Sequence, residues 1–232
     1  GQGDATLVEW PDGRRWLVDG GPPGLELLRW LRAHGISKLD AVFLSHLHPD
    51  HFGGLLPIFE GMRVDEFIAS DRLDEQDFSR IGAWTTRHPN LLVRPAGYDD
   101  RDENNRSEVL RIRFGNRTFL LPGDAEAEEE EALVASYGDG LRADVLKLGH
   151  HGSRTSSTEA WLRHVQPTVA VIPCGFDNRY AHPSPVVVRR LHDSLPGAEV
   201  WRTDRDGSVE VRTDGVDLRV RRLGEPAPWR GR

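Results

Sequence analysis

Residues 43–54 read FLSHLHPDHFGG, and this stretch constrains the fold of the chain more strongly than any other. It places three imidazoles and a carboxylate within six residues, directly after an apolar run that has the character of a buried strand. Imidazole and carboxylate are the ligands that Zn²⁺ and related divalent ions prefer. The spacing predicts a tight loop with two adjacent metal pockets. The alternative is a solvated histidine-rich turn, but a chance cluster would not also lie between a hydrophobic strand and a Gly-Gly pair.

Length and charge limit the classes of protein that the chain can represent. Its 232 residues suffice for a complete core, in one large α/β domain or two small ones. No apolar run reaches the roughly 18 residues that a membrane-spanning helix needs. The formal net charge of −7 excludes nucleic-acid binding by bulk electrostatics, so such a substrate would be held by metals and local Arg and Lys. The single cysteine, Cys174, excludes an internal disulfide and predicts a packed thiol.

Apolar periodicity switches repeatedly between the helical and the strand type. Hairpins are predicted at residues 5–18 and 107–121, and further strands at 39–44, 66–69, 144–148, 169–172, 199–203, 208–213 and 217–220. Helices are predicted at residues 25–33, 52–59, 76–86, 125–136, 157–165 and 185–194. Two β-rich blocks interleaved with helices favour an α/β fold of the αββα sandwich type over a doubly wound sheet. We expect one domain over residues 1–223, followed by a loosely ordered tail at 224–232.

Other motifs accompany the histidine segment in a set order along the chain. They read GQGDA at residues 1–5, LVDGG at 17–21, LLPGD at 120–124 and DVLKLGHHGS at 144–153. With HLHPDH, they resemble the metallo-β-lactamase superfamily over nearly the whole chain. The motif at 144–153, with NNRS at 104–107 and NRYAHP at 178–183, is similar to the ComEC-type domains of bacterial DNA uptake and their stand-alone relatives.

The resemblance implies a pair of divalent metal ions, Zn²⁺ or Mn²⁺, as cofactors. In two-metal hydrolases of this superfamily the two histidines of HxH serve one metal and the Asp-His pair serves the other. The resemblance therefore assigns His46 and His48 to the first metal, and Asp50 and His51 to the second. Asp124 follows an apolar strand and is expected to bridge the two ions. The alternative for Asp124 is a helix N-cap.

Three further histidines lie in the matching motifs. For His150 and His151 the sequence leaves open which is a ligand and which contacts phosphate or donates a proton; we place His150 with the metal ligands and His151 with the catalytic groups. His182 is expected to fill the terminal ligand position of the superfamily or to protonate the leaving group. Asp50 is the third residue of the predicted catalytic set. The loops from the two halves of the chain are expected to face one cleft.

Polar residues near the histidine pair are candidate substrate contacts. Lys147, Ser153 and Ser156, joined by Asn105, are assigned to substrate because hydroxyls, a cation and backbone N–H groups at a helix start form an anion site. The alternative is that Ser156 or its neighbour Ser157 only caps the following helix.

Two acidic features have structural explanations. Asp4 and Asp19 are expected to orient the ligand histidines from behind, or to cap turns. The glutamate run at residues 126–131 is expected to form the solvated first turns of a helix, where carboxylates complement the helix dipole.

Two positions depart from the patterns of these families. The superfamily usually carries a histidine upstream of the Gly-Asp strand, whereas residues 103–107 here read ENNRS. Asn ligates Zn²⁺ weakly and suits harder ions, so the first pocket is expected to be weak or tuned to Mn²⁺, and β-lactam turnover is disfavoured. Relatives of ComEC type often carry Asp where this chain has His48. With His at this position, the first metal pocket is more similar to that of typical hydrolases of the superfamily than to that of many ComEC domains.

The sequence therefore predicts a metal-dependent hydrolase, foremost a phosphodiesterase or nuclease that cleaves DNA by two-metal hydrolysis. DNA as the partner comes from the resemblance, since the site chemistry alone also suits an ester, a thioester or a lactone. The alternatives are a small-molecule metallohydrolase acting on a nucleotide, lactone or thioester, and a metal-containing module that binds single-stranded DNA without turnover. The start on Gly1 suggests an excised domain, extracytoplasmic if of ComEC type, whereas a stand-alone protein would be cytoplasmic.

Overall fold

Side chains on successive strand residues alternate between two apolar environments, and this alternation explains the layers of the fold. Leu17 and Val42 pack among helices, whereas their neighbours Val18 and Phe43 pack between two β-sheets. The computed structural model describes residues 2–69, 92–93 and 102–223. Within these residues two sheets lie face to face and helices cover both outer faces. The predicted αββα sandwich is confirmed.

The first sheet has four strands, in the spatial order β1-β2-β4-β6. These are β1 Thr6–Glu9, β2 Arg15–Val18, β4 Ala41–Phe43 and β6 Phe67–Ile68. The hairpin β1–β2 is antiparallel, and β2, β4 and β6 run parallel. Its outer face packs against helices α1 (Glu26–Ala33) and α3 (Leu55–Gly61). Helix α2 is Pro49–Phe52, and the short strands β3 (Lys38–Leu39) and β5 (Arg63–Val64) pair beside the sheet.

The second sheet has six strands, in the order β12-β11-β10-β9-β8-β7. They are β7 Leu92–Val93, β8 Val109–Phe114, β9 Arg117–Leu121, β10 Val145–Lys147, β11 Val169–Ile172 and β12 Glu199–Arg202. Strands β9 to β12 run parallel, and β7, β8 and β9 are antiparallel. Helices α4 (Ala127–Tyr137), α5 (Glu159–Val165) and α6 (Pro185–Ser194) cover its outer face. Helix α7 (Thr203–Asp206) and the hairpin β13 (Val209–Thr213) and β14 (Leu218–Arg222) complete the described chain.

The main local difference from the predicted elements lies in the histidine segment. Asp50 and His51 lie on the short helix α2, so the loop predicted for them is wrong at these two positions. Pro49 is the first residue of that helix, where its fixed φ and missing N–H favour helix initiation. The predicted helix at 76–86 and the tail at 224–232 lie outside the described residues. Among the described helices, none is long and apolar enough to cross a bilayer.

Candidate metal centre

Strand ends bring the predicted site residues to one edge of the sandwich. Asp19 follows β2 and the histidine segment follows β4, two parallel strands of the first sheet. Asp124 follows β9 and the His150–His151 pair follows β10, two parallel strands of the second sheet. Asp4 joins them because β1 begins where its antiparallel partner β2 ends. The topology thus gathers acidic and imidazole side chains from both halves of the chain.

Four buried side chains form the centre of the site: Asp4, His51, Asp124 and His151. Each offers one ligand atom, and these atoms lie within 4.8 Å of one another. The Nε2 atoms of His51 and His151 lie 3.2 and 3.4 Å from the same oxygen of Asp124. The other ring nitrogen of His151, Nδ1, lies 3.3 Å from Asp4 Oδ1. Two imidazoles and two carboxylates are a donor set that suits Zn²⁺ or Mn²⁺.

The rest of the HLHPDH segment lies beside this cluster. Asp50 Oδ2 is 3.3 Å from His151 Nε2, and the Asp50 side chain is one-third exposed. Nε2 of His46 is 3.1 Å from Nδ1 of His48, so these two nitrogens lie within hydrogen-bond distance of each other. The ring centroids of His46 and His51 are 4.2 Å apart. The structure therefore brings together all four predicted ligands of this segment.

Asp19 contacts His51 on the side of the ring that faces away from Asp124. Its carboxylate accepts hydrogen bonds from the backbone N–H of Ser45 at 2.7 Å, from the Ser45 hydroxyl at 2.8 Å and from His51 Nδ1 at 2.9 Å. A bond at Nδ1 leaves Nε2 of His51 directed at Asp124. Asp19, predicted to orient ligand histidines, thus contacts His51 on the nitrogen that faces away from Asp124. Asp4, expected in the same role, instead lies within the cluster itself.

Unusual backbone conformations place the residues of the second sheet. His150 and His151 have φ of 45° and 54°, a left-handed region that costs energy for side chains other than glycine. Gly123, at φ 58°, precedes Asp124, and a Cβ there would lie 2.7 Å from Ser107 Oγ and 2.8 Å from the Cβ of Ser45, the residue before His46. The glycine of the PGD motif therefore allows the Asp124 backbone to approach the histidine segment.

The electrostatics of the centre favour a cation. Burial alone would lower the pKa of His51, but the carboxylates of Asp124 and Asp19 raise it well above the usual range. Burial also opposes the charged form of His151, yet Asp4 and Asp124 raise the pKa of His151 to about 10. In the metal-free protein, protons on these two rings supply positive charge among the carboxylates.

The residues present fit a divalent cation. Within the described part of the chain, His51 Nε2, His151 Nε2 and Asp124 Oδ1 are buried and make no hydrogen bond of normal geometry, although Asp124 Oδ2 lies 3.2 and 3.4 Å from the two ring nitrogens. Buried polar atoms are rarely left in that state unless another partner binds them. Burial, followed by the nearby charge of His51, lowers the pKa of His46 well below its usual range, so this ring is neutral and ready to ligate.

Comparison with protein families matches most of the chain to one of them. The profile described as the metallo-beta-lactamase superfamily matches residues 1–175. The chain belongs to the metallo-β-lactamase superfamily.

Individual proteins similar to this chain indicate which subgroup of the superfamily it resembles. Competence protein ComA of Neisseria gonorrhoeae is 33% identical over 230 residues, covering 96% of this chain and 33% of that protein. ComE operon protein 3 of Bacillus subtilis is 30% identical over 250 residues, covering 91% of this chain and 32% of that protein. The predicted resemblance to competence proteins of ComEC type is confirmed. The chain spans about one-third of the length of these relatives.

A solved structure shares the fold of this superfamily member. The metallo-beta-lactamase fold protein YhfI from Bacillus subtilis aligns with a TM-score of 0.59 at 17% identity, covering 87% of this chain and 88% of that protein. At this identity the likeness concerns the fold.

Two of the predicted substrate contacts are occupied by other protein groups. Lys147 is buried, and its ammonium contacts Asp4 and donates to the Gly123 carbonyl at 2.6 Å. Asn105 accepts a hydrogen bond from Glu126 N at 3.0 Å, which places its side chain at the start of α4. The structure therefore gives both residues internal partners rather than the open surface that a substrate contact needs.

The predicted anion site near the serines is also filled from within the protein. Ser156 is buried and donates to the Gly149 carbonyl at 2.8 Å, while Ser153 lies 2.8 Å from the Thr155 hydroxyl. The carboxylate of Glu130 accepts the backbone N–H groups of residues 157 and 158 at 2.5 and 2.7 Å. Thr158, not either serine, caps α5.

The glutamate run is less solvated than predicted. Glu129 and Glu130 are buried, so the expectation of a fully solvated helix start is wrong. Burial raises the pKa of Glu130 to about 7, although the hydrogen bonds that its carboxylate accepts from the two backbone N–H groups oppose the shift. Sequence inspection missed this residue because its partners lie almost thirty positions away.

His150 and His182 lie on the outer side of the centre. His150 Nδ1 is 2.6 Å from Glu126 Oε1, so Glu126 holds the ring that was expected to bind metal. The His182 ring lies 5.8 Å from that of His150 and 6.4 Å from that of His151. Burial and these two histidines lower the pKa of His182. The C-terminal half of the chain therefore reaches the same cleft as the histidine segment.

Proposed function

We propose that this domain is a metal-dependent phosphodiesterase that cleaves DNA. The observation that carries the proposal is the buried group of Asp4, His51, Asp124 and His151, whose ligand atoms lie within 4.8 Å of one another and whose carboxylates favour positive charge. The HLHPDH segment adds the donors needed for a second ion. The choice of DNA is supported by relatives named for competence, which match this chain over about a third of their length.

Two divalent ions bound here would supply Lewis acidity towards a phosphoryl oxygen and lower the pKa of a bound water. Asp124 and Asp50 would hold the ions together with the histidines. Asp124 is suited to this because His51 and His151 keep its pKa well below the usual range despite the opposing effect of burial. Its carboxylate is therefore ionised across the physiological range. Asp19 keeps Nε2 of His51 directed into the centre.

His182 is the group that we assign to proton transfer. Its ring is part-buried beside His151, and Gln2 Nε2 lies 3.4 Å from its Nδ1. Burial and the neighbouring histidines lower the pKa of His182, so its ring is mainly neutral at pH 7 and its protonated form gives up the proton more readily than an ordinary histidine does. It would deliver that proton to the oxygen of the departing nucleotide.

The test is a gel assay with purified protein and end-labelled single-stranded and double-stranded DNA, in Mn²⁺, in Zn²⁺ and in excess chelator. We expect cleavage that requires the metal. Asp50→Asn should lower kcat by about two orders of magnitude or more, since metal-bound groups act in the transition state. The exposed Asp193→Asn serves as the matched control, because Asp193 lies on the surface of α6, where its carboxylate is 3.0 Å from His192 Nδ1. Absence of metal-dependent cleavage of DNA and of bis(p-nitrophenyl) phosphate would overturn the proposal.

A further inference from the structure

A row of nearly parallel rings leads from the metal centre to the protein surface. The ring of buried His151 faces that of His182 at 6.4 Å between centroids, with an interplanar angle of 28°. The His182 ring in turn faces Tyr180 at 5.7 Å and 27°. The row therefore begins at a residue of the buried cluster and ends at a side chain in contact with solvent.

The outer end of this row exposes aromatic surface. Tyr180 is 52% exposed and Phe176, four residues earlier on the same loop, is 85% exposed. Two aromatic rings of one loop are therefore accessible to a ligand. The guanidinium of Arg179 lies 4.9 Å from the Tyr180 ring centroid and donates to its hydroxyl at 2.6 Å. A positive charge thus accompanies the exposed rings.

The loop that carries these rings is held in a defined shape. Asn178 donates to the carbonyl oxygens of Gly175 and His182 at 2.8 and 2.7 Å, and accepts from His182 N at 2.9 Å. Gly175 N also donates to Gln2 Oε1 at 3.0 Å. These bonds close the loop and fix Tyr180 relative to His182. Preorganised aromatic groups bind a planar ligand with little loss of conformational entropy.

We propose that Tyr180 stacks on a base of single-stranded DNA next to the scissile phosphodiester, with Phe176 and Arg179 flanking that nucleotide. This inference rests on the proposed function and specifies its substrate as an unpaired strand. Stacking on aromatic side chains is the usual way in which proteins bind unpaired bases, and arginine strengthens it. A paired base is covered on both faces within the duplex, so the same rings discriminate against double-stranded DNA.

The test compares the wild type, Tyr180→Ala and Tyr180→Phe on an oligodeoxythymidine and on copies with one abasic nucleotide at successive positions. For the wild type, we expect kcat/KM to fall roughly tenfold when the abasic nucleotide adjoins the cleaved bond. Tyr180→Ala should cleave the intact and abasic strands equally, whereas Tyr180→Phe retains the ring and the discrimination. An abasic effect in Tyr180→Ala as large as in the wild type would overturn the inference, as would no effect in the wild type.

A binding measurement separates this inference from the proposed function. Metal-loaded protein is titrated into single-stranded DNA that contains 2-aminopurine, whose fluorescence reports stacking. Quenching by the wild type and Tyr180→Phe but not by Tyr180→Ala supports the base site even if no phosphodiester is cleaved, in which case only the proposed function fails. Equal quenching by all three proteins overturns the base site. Metal content and melting temperature of the variants should match the wild type, because Tyr180 lies on the surface.

Discussion

Lys147 and Asp4 form a buried ion pair inside the candidate metal centre. The same ammonium donates to the Gly123 carbonyl at 2.6 Å and lies 3.8 Å from Asp124 Oδ1. Burial opposes the charged form of Lys147, but Asp4 and Asp124 raise its pKa above the usual value. The site thus contains a permanent positive charge, which offsets part of the carboxylate charge before any ion binds.

Lys147→Met should destabilise the metal-free protein by about 3 kcal/mol, because removing the ammonium leaves the buried Asp4 carboxylate with the His151 ring as its remaining positive neighbour in this centre. The loss should be smaller with metal bound, since the cation then offsets the same carboxylates. Thermal denaturation with and without Mn²⁺ measures both quantities. Lys38→Met is the control, because Lys38 pairs with Asp40 and Asp65 on the surface. An equal loss in the two states would contradict this electrostatic role of Lys147.

Metal affinity should rise with pH. The carboxylates around His51 raise its pKa well above the usual range, and those around His151 raise its pKa to about 10, so both rings carry protons at pH 7 in the metal-free protein. An ion that takes their place must displace these protons, and binding therefore strengthens as pH rises towards 10. Isothermal titration calorimetry in buffers of different ionisation enthalpy counts the protons released. A dissociation constant that is unchanged between pH 6 and pH 9 would be inconsistent with these pKa shifts.

His182→Gln should separate proton donation from metal binding. If His182 is the acid, the variant keeps its metals and loses activity on DNA by about 10²–10⁴-fold, the usual contribution of a general acid. Its activity on bis(p-nitrophenyl) phosphate should change little, because p-nitrophenolate leaves without a proton. Loss of a metal ion from the variant, measured by elemental analysis, would instead make His182 a ligand.

The thiol of Cys174 should be inert in the folded protein. It is buried and donates to Asp204 at 3.2 Å. Burial and this neighbouring carboxylate raise the pKa of Cys174 to about 11, so almost no thiolate is present at pH 8. Iodoacetamide should label the denatured chain fully within minutes and the native chain only slowly. Equal labelling rates for the native and denatured protein would refute this prediction.

The gathering of ligand residues could be predicted because it depends on strand ends. His46, His51, Asp124 and His151 each lie on a segment that directly follows a strand of apolar sequence, and parallel strands bring their ends to one edge. This needs only local patterns and the topology of the fold, so the sequence predicts that these residues gather at one edge. It did not predict that Asp4 lies within the cluster or that His150 pairs with Glu126.

The polar groups around this edge could not be assigned in the same way. Three of these groups bind partners more than twenty positions away in the sequence. Lys147 contacts Asp4 and Gly123, Asn105 accepts a hydrogen bond at the start of α4, and Glu130 accepts one at the start of α5. Such pairings depend on the distance between helices in three dimensions. From the sequence alone each residue resembles an exposed polar side chain, and only packing shows that a protein group satisfies it.

The most direct test of the account is a metal titration in which bound ion and phosphodiester cleavage are measured on the same samples. Metal-free protein is titrated with Mn²⁺, and cleavage of single-stranded DNA is followed at each step together with Asp124→Asn. The account predicts that cleavage rises in proportion to bound metal up to two ions per chain, and that Asp124→Asn lowers kcat far more than it raises KM. Cleavage at the full rate in excess chelator, or full activity of Asp124→Asn, would contradict it.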